Sequence, residues 1–243
     1  MFNLKGLYFY FLAIKIVITK FLKRIYFSTN YYNKSLRSKI PKHFYFYPNP
    51  FLLSSFTNYK NFAFKVEDID PKTFWNAQSS KKNDKKLHEF FWLNLIDRKN
   101  DAVIIQKIIS IWIQKNNKNK KIIWDSTVLS KRMISWILNA DIILNNTDSL
   151  FKENFLQSIV IQINHLKKNV KFQNDYSKRI EIISAILISG LVFKEYSENF
   201  DSGLKELEKL IENFFDNEGF PINKNPKDLI KFSKYLILIK ECS

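Results

Sequence analysis

The sequence is poor in the residues that cross-link a chain or turn it sharply. It contains a single cysteine, Cys242, so an intrachain disulfide and a cysteine-based metal cluster are both excluded. Only 4 glycines and 6 prolines occur in 243 residues, which leaves little material for the tight turns of β-hairpins. These scarcities favour a helical protein. They also fit a reducing compartment without establishing one, so a cytoplasmic or membrane-associated location is favoured and a periplasmic one stays open.

The motifs of several common functional classes are absent as well. The sequence has no Gly-rich phosphate loop, no nucleophile elbow and no HExxH motif. Its three histidines, His43, His88 and His165, are too scattered to predict a zinc site, and we predict no metal and no cofactor. Because no signature of the usual DNA- or RNA-binding modules is present, we expect no nucleic acid partner.

Long apolar runs without charge are the third absence. Residues 4–27 are rich in Phe, Tyr and Ile, but Lys5, Lys15, Lys20, Lys23 and Arg24 interrupt them before the roughly 18 residues that span a bilayer. No small-residue cleavage site follows. We therefore predict a basic amphipathic helix over residues 1–28, which packs on the domain or lies on a membrane surface. A single-span anchor or an unusual signal peptide stays an alternative.

The sequence carries a large excess of positive charge. It has 39 Lys and Arg residues against 23 Asp and Glu residues, which gives a formal net charge of +16. This excess predicts an acidic partner such as a polyanionic polysaccharide or a membrane surface. An A/T-rich genome would also enrich Lys, Asn, Ile and Phe together, so the charge has two open explanations. The hydrophobic content of 46% is that of a globular chain with a sizeable core.

The stretch from Leu87 to Leu138 is the most strongly patterned part of the chain. Its apolar runs contain Trp92, Trp112, Trp124 and Trp136. From Asp125 onward apolar residues recur every three or four positions, which is the period of one helix face, and Asp125 itself is a candidate helix cap. Helices this apolar need neighbours on more than one side.

The remaining segments complete an all-α prediction in three parts. After the N-terminal helix, residues 29–84 are aromatic and interrupted by proline, with one conceivable strand at residues 61–69. Residues 85–243 read as helices joined by short polar links, so neighbouring helices should be antiparallel. Among them, residues 180–193 are apolar almost all round, as in an enclosed helix, and Asn225 is placed to cap a helix that begins with Pro226.

Several segments, in their order and spacing, carry a family resemblance. They read FSTNYYNKSLRSKIPKHFYFYP, LHEFFWL, WDSTVLSKRMISWI, RIEIISAILISGL and EGFPINKNPKDLIKF. Together they resemble the N-terminal helical domain of the heparinase II/III family, in its bacterial branch. The resemblance runs from about residue 24 to the last residue. It implies that the helical hairpins curve into a partial (α/α) toroid.

The same resemblance implies a function, that of a polysaccharide lyase acting on uronic-acid glycans by β-elimination. Relatives place an Asn before a helix like 180–193, a Tyr in a segment like 218–228, and a His in a later β domain. Here the first position falls near Ser177 and Lys178, where Asn174 is the nearest amide, and no Tyr stands at the second. Asn174 and His165 are the catalytic candidates. We expect this chain alone to be inactive as a lyase.

Other polar residues are candidates for substrate binding in a cationic, Trp-lined groove. The set comprises Trp92, Arg132, Trp136, Gln162, Lys178, Arg179, Lys224 and Asn225. Arg132 and Trp136 share a helix face, as in sites that bind sugars and carboxylates, although a structural ion pair is the alternative for Arg132. Gln162 and His165 share another face, with core packing as the alternative. Lys224 and Asn225 could hold an anion at a helix N-terminus, or Asn225 could simply cap it.

The end of the sequence suggests that more protein follows. Tyr235–Ile239 is strongly apolar, yet the chain stops at Ser243 without a terminal Gly cap or a polar outer face. We expect a fragment whose missing part includes further helices and a C-terminal β-sandwich domain. The sequence thus predicts an acidic-polysaccharide-binding helical domain. The alternative is a non-catalytic basic module that binds an anionic membrane surface, through residues 1–28, or a protein partner.

Overall fold

The structure, a computed structural model, describes residues 4–56, 70–75, 81–98, 101–116 and 123–243. Within these ranges the regular structure is helical, apart from one isolated bridge between Phe215 and Pro221. The prediction of an all-α protein is therefore confirmed. The conceivable strand at residues 61–69 lies outside the described residues.

Eleven α-helices follow one another in the described part of the chain. They are α1 (Leu4–Ser28), α2 (Asn30–Ser35), α3 (Pro71–Phe74), α4 (Lys81–Glu89), α5 (Ala102–Asn116), α6 (Ser126–Leu138), α7 (Ala140–Ile143), α8 (Ser149–Asn169), α9 (Tyr176–Val192), α10 (Glu198–Phe214) and α11 (Pro226–Cys242). Short 3₁₀ turns cover Pro50–Phe56, Phe91–Leu95, Val170–Phe172 and Lys194–Tyr196.

Side-chain caps fix where the larger helices begin. Asp125 accepts a hydrogen bond from the Thr127 N–H at 3.0 Å, so α6 starts where the sequence predicted. Asp148 and Asp175 cap α8 and α9 in the same way. Asn225 accepts from the Lys227 N–H at 3.1 Å ahead of Pro226, which confirms the predicted cap of α11. Each cap satisfies an N–H group that has no partner inside its helix.

The helix α9 is the centre of the packed body. It contacts α6 on one side and α11 on the other, while α8 and α10 also pack against it. Every residue from Ile180 to Gly190 is buried, which confirms the predicted enclosed helix. The α9–α10 contact is close because both helices carry glycine there. A Cβ on Gly190 would lie 2.2 Å from the Phe200 amide nitrogen.

The helices α6, α9 and α11 share one register. Their N-caps, Asp125, Asp175 and Asn225, are separated by 50 residues each. The sixth residues of the three helices, Lys131, Glu181 and Lys231, lie close together, since Glu181 pairs with Lys231 at 2.5 Å and lies within electrostatic reach of Lys131. Lys178 in the first turn of α9 lies within electrostatic reach of Asp125, and Asp175 lies within reach of Lys231, so the three helices begin at the same end of the molecule. The spacing of 50 residues was not among the sequence predictions.

The first helix, α1, differs from the others because most of it does not pack. Its last turn contacts the body: the Phe27 ring lies 4.8 Å from the Tyr32 ring and 5.3 Å from the His165 ring. The side chains described from Leu7 to Leu22 are exposed. The alternative that this helix packs along the domain thus holds only for its C-terminal end. Among the described residues, no helix has the length and uninterrupted apolarity that a membrane span requires.

Candidate functional site

The tryptophans of the Leu87–Leu138 stretch form the centre of the core. Trp92 and Trp136 are both 0% exposed. The Phe90 ring lies between them, with centroid distances of 5.5 Å to Trp92 and 5.2 Å to Trp136. Phe90 is stacked on Trp92 and meets Trp136 edge to face, and aromatic pairs of both kinds add stability beyond the area they bury. The prediction that Trp92 and Trp136 bind substrate in a groove is therefore wrong, because a ligand cannot reach them.

Arg132 is a buried structural cation. Its guanidinium lies over the Trp112 ring at 4.3 Å and donates to the Gln162 side-chain oxygen at 2.7 Å. It also donates to the backbone carbonyls of His88 and Ile123, each at 3.0 Å. Burial lowers its pKa well below the usual value. Arg132 stacks on Trp112 and not on Trp136, the partner that the sequence predicted. Arg132 and Gln162 hold helices together and are not accessible to a substrate.

His165 is held in the core by a defined hydrogen-bond chain. The Asn169 amide donates to the Tyr32 hydroxyl at 3.2 Å, and that hydroxyl shares a hydrogen bond with His165 Nδ1 at 2.8 Å. Burial, aided by the charges of Arg132 and Lys168, lowers the pKa of His165 to about 4. The ring is 2% exposed. The prediction of a catalytic His165 is thus contradicted, since its Nδ1 is bonded to Tyr32 and the buried ring is out of reach of a substrate.

The candidates near the start of α9 lie at the surface. Asn174 is exposed in the loop before the Asp175 cap. Lys178 pairs with Asp175 at 2.7 Å, and Arg179 pairs with Glu206 at 2.5 Å. Both cations are thus neutralised by carboxylates of their own chain, which weakens them as anion ligands. A catalytic role for Asn174 stays a prediction.

The residues ahead of α11 form a local turn. Lys224 is exposed in the left-handed region, with φ at 51°. The Asn225 side-chain oxygen is occupied by the cap, and its amide donates to the Asp228 carboxylate at 3.0 Å. A carboxylate in the first turn competes with any anion for the helix N-terminus. The capping alternative therefore describes Asn225, and an anion site with Lys224 has no support in this geometry.

A different feature is a groove with many polar side chains in its lining. It has a volume of about 350 Å³ and lies between α2 and α8, with the C-terminal part of α5 and the 123–124 turn at its sides. Its lining consists of Asn30, Asn33, Lys34, Arg37, Ile113, Trp124, Asn154, Gln157, Ser158 and Ile161. A smaller pocket of about 150 Å³ shares Ile113 and Asn154 and adds Ser110, Gln114 and Phe151. The two form one elongated groove, which we call the polar groove.

The position of α2 on α8 defines this groove. Asn164 donates to the Leu36 carbonyl and to the Ser38 hydroxyl, both at 2.9 Å. Lys168 donates to the Ser35 hydroxyl at 2.6 Å. These side chains and His165 all come from one stretch of α8. They hold α2 so that its remaining polar face is directed into the groove.

Most polar side chains of the groove are available to a ligand. Within the described part of the chain, no protein group is bonded to the side chains of Asn30, Lys34, Arg37, Asn154 or Gln157. The Ser158 hydroxyl accepts from Gln162 at 3.0 Å, which leaves its own proton free to donate. The polar groove therefore offers hydroxyl, amide and cationic donors together with amide acceptors.

The charge in the groove is positive. Lys34 and Arg37 line it, and no carboxylate does so among the lining residues of either pocket. Guanidinium and ammonium groups without an internal counter-ion attract carboxylate or sulfate groups. The residues that line the groove include no His, Asp, Glu, Tyr or Cys. Lys34 is therefore the one candidate general base among them. The arrangement supports binding of a polar, acidic ligand.

A second charged cluster joins α4, α6, α9 and α11. Glu89 pairs with Lys131 at 3.0 Å, and Glu181 pairs with Lys231 at 2.5 Å. Burial lowers the pKa of Lys131, but the Glu181 and Glu89 carboxylates outweigh it, so the net shift is upward. Burial raises the pKa of Glu181 despite its two lysine neighbours. The alternation of charge ties neighbouring helices together at one level.

Sequence reasoning missed the polar groove although a signal was present. Asn30, Asn33, Lys34 and Arg37 recur at the spacing of one helix face, and so do Asn154, Gln157 and Ser158. A polar face at helical spacing normally faces solvent, so the pattern does not reveal that the two faces meet.

Among the described residues, no group of three His, Cys, Asp or Glu side chains is placed to hold a metal ion.

No protein-family model, no curated protein and no solved structure matches the chain. Its described residues form an all-α protein of packed helices with a polar, positively charged groove.

Proposed function

We propose that this chain is a binding domain for an acidic polysaccharide, and that the polar groove holds the polymer. The observation that carries the proposal is the composition of the groove lining. Two unpaired cations, Lys34 and Arg37, stand beside four amide side chains, and no carboxylate lines the site. A uronate chain presents one carboxylate and several hydroxyls per sugar, which is the complement of this set.

Each class of lining residue has a role in this proposal. The Arg37 guanidinium receives a carboxylate through two parallel hydrogen bonds, and Lys34 adds a second positive charge. Asn154 and Gln157 exchange hydrogen bonds with sugar hydroxyls. Phe151, which is half-buried, provides aromatic surface at the edge of the groove for the apolar face of a sugar ring. The elongated form of the groove suits a linear polymer better than a small ligand.

The architecture that we propose is a partial (α/α) toroid of the heparinase II/III type. Support comes from the equal spacing of the α6, α9 and α11 caps and from the common direction of these helices. By that resemblance, β-elimination draws on a tyrosine and a histidine, which the matched segments of this chain do not supply. We therefore propose binding by this chain, with cleavage dependent on groups from a β-sandwich domain.

The groove is tested by a charge-matched pair of double variants. Lys34→Gln combined with Arg37→Gln should weaken binding of polygalacturonate or heparin by about 100-fold, because two charge-assisted contacts are lost. Isothermal titration calorimetry of the full chain measures the affinity. Neutral dextran, offered as a second ligand, should not bind.

The control variant removes the same number of positive charges, but at positions outside the groove. Lys205→Gln combined with Lys227→Gln removes two exposed cations on α10 and α11, away from the groove, and should alter affinity by less than about 3-fold, since distant exposed charges are screened by salt. Equal losses in both double variants would show that binding follows net charge and not the groove, and the proposal would then fail.

A further inference from the structure

The helix α1 leaves a large apolar surface uncovered. Fourteen large apolar side chains between Leu7 and Tyr26 are exposed, and Tyr8, Phe9, Tyr10, Phe11 and Val17 each exceed 60%. Soluble monomers rarely expose a contiguous apolar patch of this kind unless it is an interaction site. The helix of 25 residues is about 37 Å long at 1.5 Å per residue, so the uncovered surface is extensive.

Six of the fourteen exposed apolar residues form a continuous stripe along α1. Residues 7, 11, 14, 18, 21 and 25 recur every three or four positions, and each of them is Leu, Ile or Phe. Lys15 and Lys23 fall outside this stripe. An apolar stripe flanked by lysines and aromatic residues is typical of helices that lie in the plane of a membrane interface.

The charge around α1 indicates the chemistry of its partner. The first 66 residues contain eleven of the 39 Lys and Arg residues and none of the 23 Asp and Glu residues. A lipid bilayer with anionic headgroups is complementary in charge to a segment whose charged residues are all positive. A second copy of the chain does not, because it would place one positive segment against another. Charge complementarity therefore favours a bilayer over self-association.

The attachment of α1 to the body leaves the apolar stripe free. Only the end of the helix is held, where the Lys23 ammonium lies 3.6 Å from the centre of the Phe172 ring and Phe27 packs on Tyr32. We infer that α1 lies on the surface of an anionic lipid bilayer, with its apolar stripe among the upper acyl chains and its lysines at the headgroup phosphates. This inference does not rest on the proposed glycan function of the polar groove.

Vesicle binding by the full chain tests the inference. The protein should co-sediment with phosphatidylcholine vesicles that contain phosphatidylglycerol, more weakly with pure phosphatidylcholine, and less as salt rises. The triple variant Phe11→Ser, Ile14→Ser, Ile18→Ser should lose about 100-fold in affinity for the anionic vesicles, because three apolar side chains no longer enter the bilayer.

A matched control uses three exposed apolar residues outside α1. Val103, Ile230 and Ile237 are 60%, 57% and 58% exposed, and their triple replacement by serine should leave vesicle binding unchanged. Both triple variants should keep the thermal unfolding midpoint of the parent chain. Failure of the parent chain to bind anionic vesicles, or equal binding by the α1 variant, would overturn the inference. A stable dimer that the α1 substitutions dissociate, without vesicle binding, would overturn it in favour of a second copy.

Discussion

At the residue scale, burial decides whether a polar or cationic side chain stabilises the core or is available to a ligand. Arg132 and Gln162 have the chemistry of a carbohydrate site, yet they are 0% and 1% exposed and satisfy each other. Lys34 and Arg37 carry the same type of charge, remain exposed and have no partner within the described chain. Spacing along a helix shows which side chains of that helix share a face. It could not tell which face the body covers.

Titration of His165 gives a prediction at this scale. Its pKa is about 4 in the folded chain against 6.5 in an unfolded one, so the unfolded state binds more protons between these values. Stability from this group is complete above pH 6.5 and is lost as the pH falls toward 4. The loss should reach about 3 kcal/mol, measured by urea unfolding at a series of pH values.

The variant His165→Gln isolates this effect. Glutamine can accept the Tyr32 hydroxyl proton and does not titrate, so the His165 contribution to the pH dependence should disappear between pH 6.5 and 4. His43→Gln, at an exposed histidine, provides the control for a His-to-Gln change at the surface. An unaltered profile in His165→Gln would contradict the assignment of this histidine as the buried titrating group.

At the element scale, the position of each helix depends on caps, charge pairs and close contacts. The caps at Asp125 and Asn225 were predictable because capping is a local interaction between side chain and backbone. The pairing of Glu181 with Lys231 was not, because these residues are 50 positions apart and meet only when α9 and α11 lie side by side. The equal spacing of the caps is visible in the sequence. The contact between Glu181 and Lys231 shows that this spacing places equivalent residues of α9 and α11 side by side.

Substitution of Gly190 tests the close approach of α9 and α10. Alanine would gain about 1 kcal/mol in helix propensity. Its Cβ would lie 2.2 Å from the Phe200 amide nitrogen, which is backbone and cannot rotate away, so the helices must separate at a cost of about 3 kcal/mol. We expect Gly190→Ala to lower the free energy of unfolding by about 2 kcal/mol, as measured in urea.

A second glycine in the same interface is the comparison. A Cβ on Gly203 would meet the Leu187 side chain at 2.8 Å, and that side chain can adjust its rotamer. Gly203→Ala should therefore cost less than Gly190→Ala. An unchanged or higher stability of Gly190→Ala would mean that the two helices tolerate a wider separation than the structure indicates.

At the scale of the whole molecule, the chain divides into a packed body and a projecting helix. The body buries the aromatic core and positions the polar groove, whereas α1 contacts it mainly through its last turn. The positive charge is distributed unequally as well, because no acidic residue precedes Glu67. The helix α1, which belongs to this acid-free segment, is thus suited to anionic surfaces, and the polar groove begins directly after it at Asn30.

Removal of residues 1–22 tests this division. These residues contribute few contacts to the core, so the truncated chain should unfold within about 2 °C of the full chain. Differential scanning calorimetry measures the midpoint. Truncation that also removes residues 23–35 serves as the contrasting variant, because it deletes Tyr32 and the α2 contacts to α8, and it should lower the midpoint clearly. A large loss on removing residues 1–22 alone would mean that α1 is an integral part of the folded body.

The sequence by itself determined the helical class, the starts of α6 and α11 and the enclosed character of α9, because capping and apolar periodicity act over a few residues. Only the tertiary structure decided which polar faces meet. Residues 30–37 and 154–161 line one groove because α8 side chains hold α2 against it across more than 100 positions of sequence. The tertiary structure also placed the tryptophans at the centre of the core. Their rings have a large apolar surface, so their burial contributes a large favourable free energy of folding.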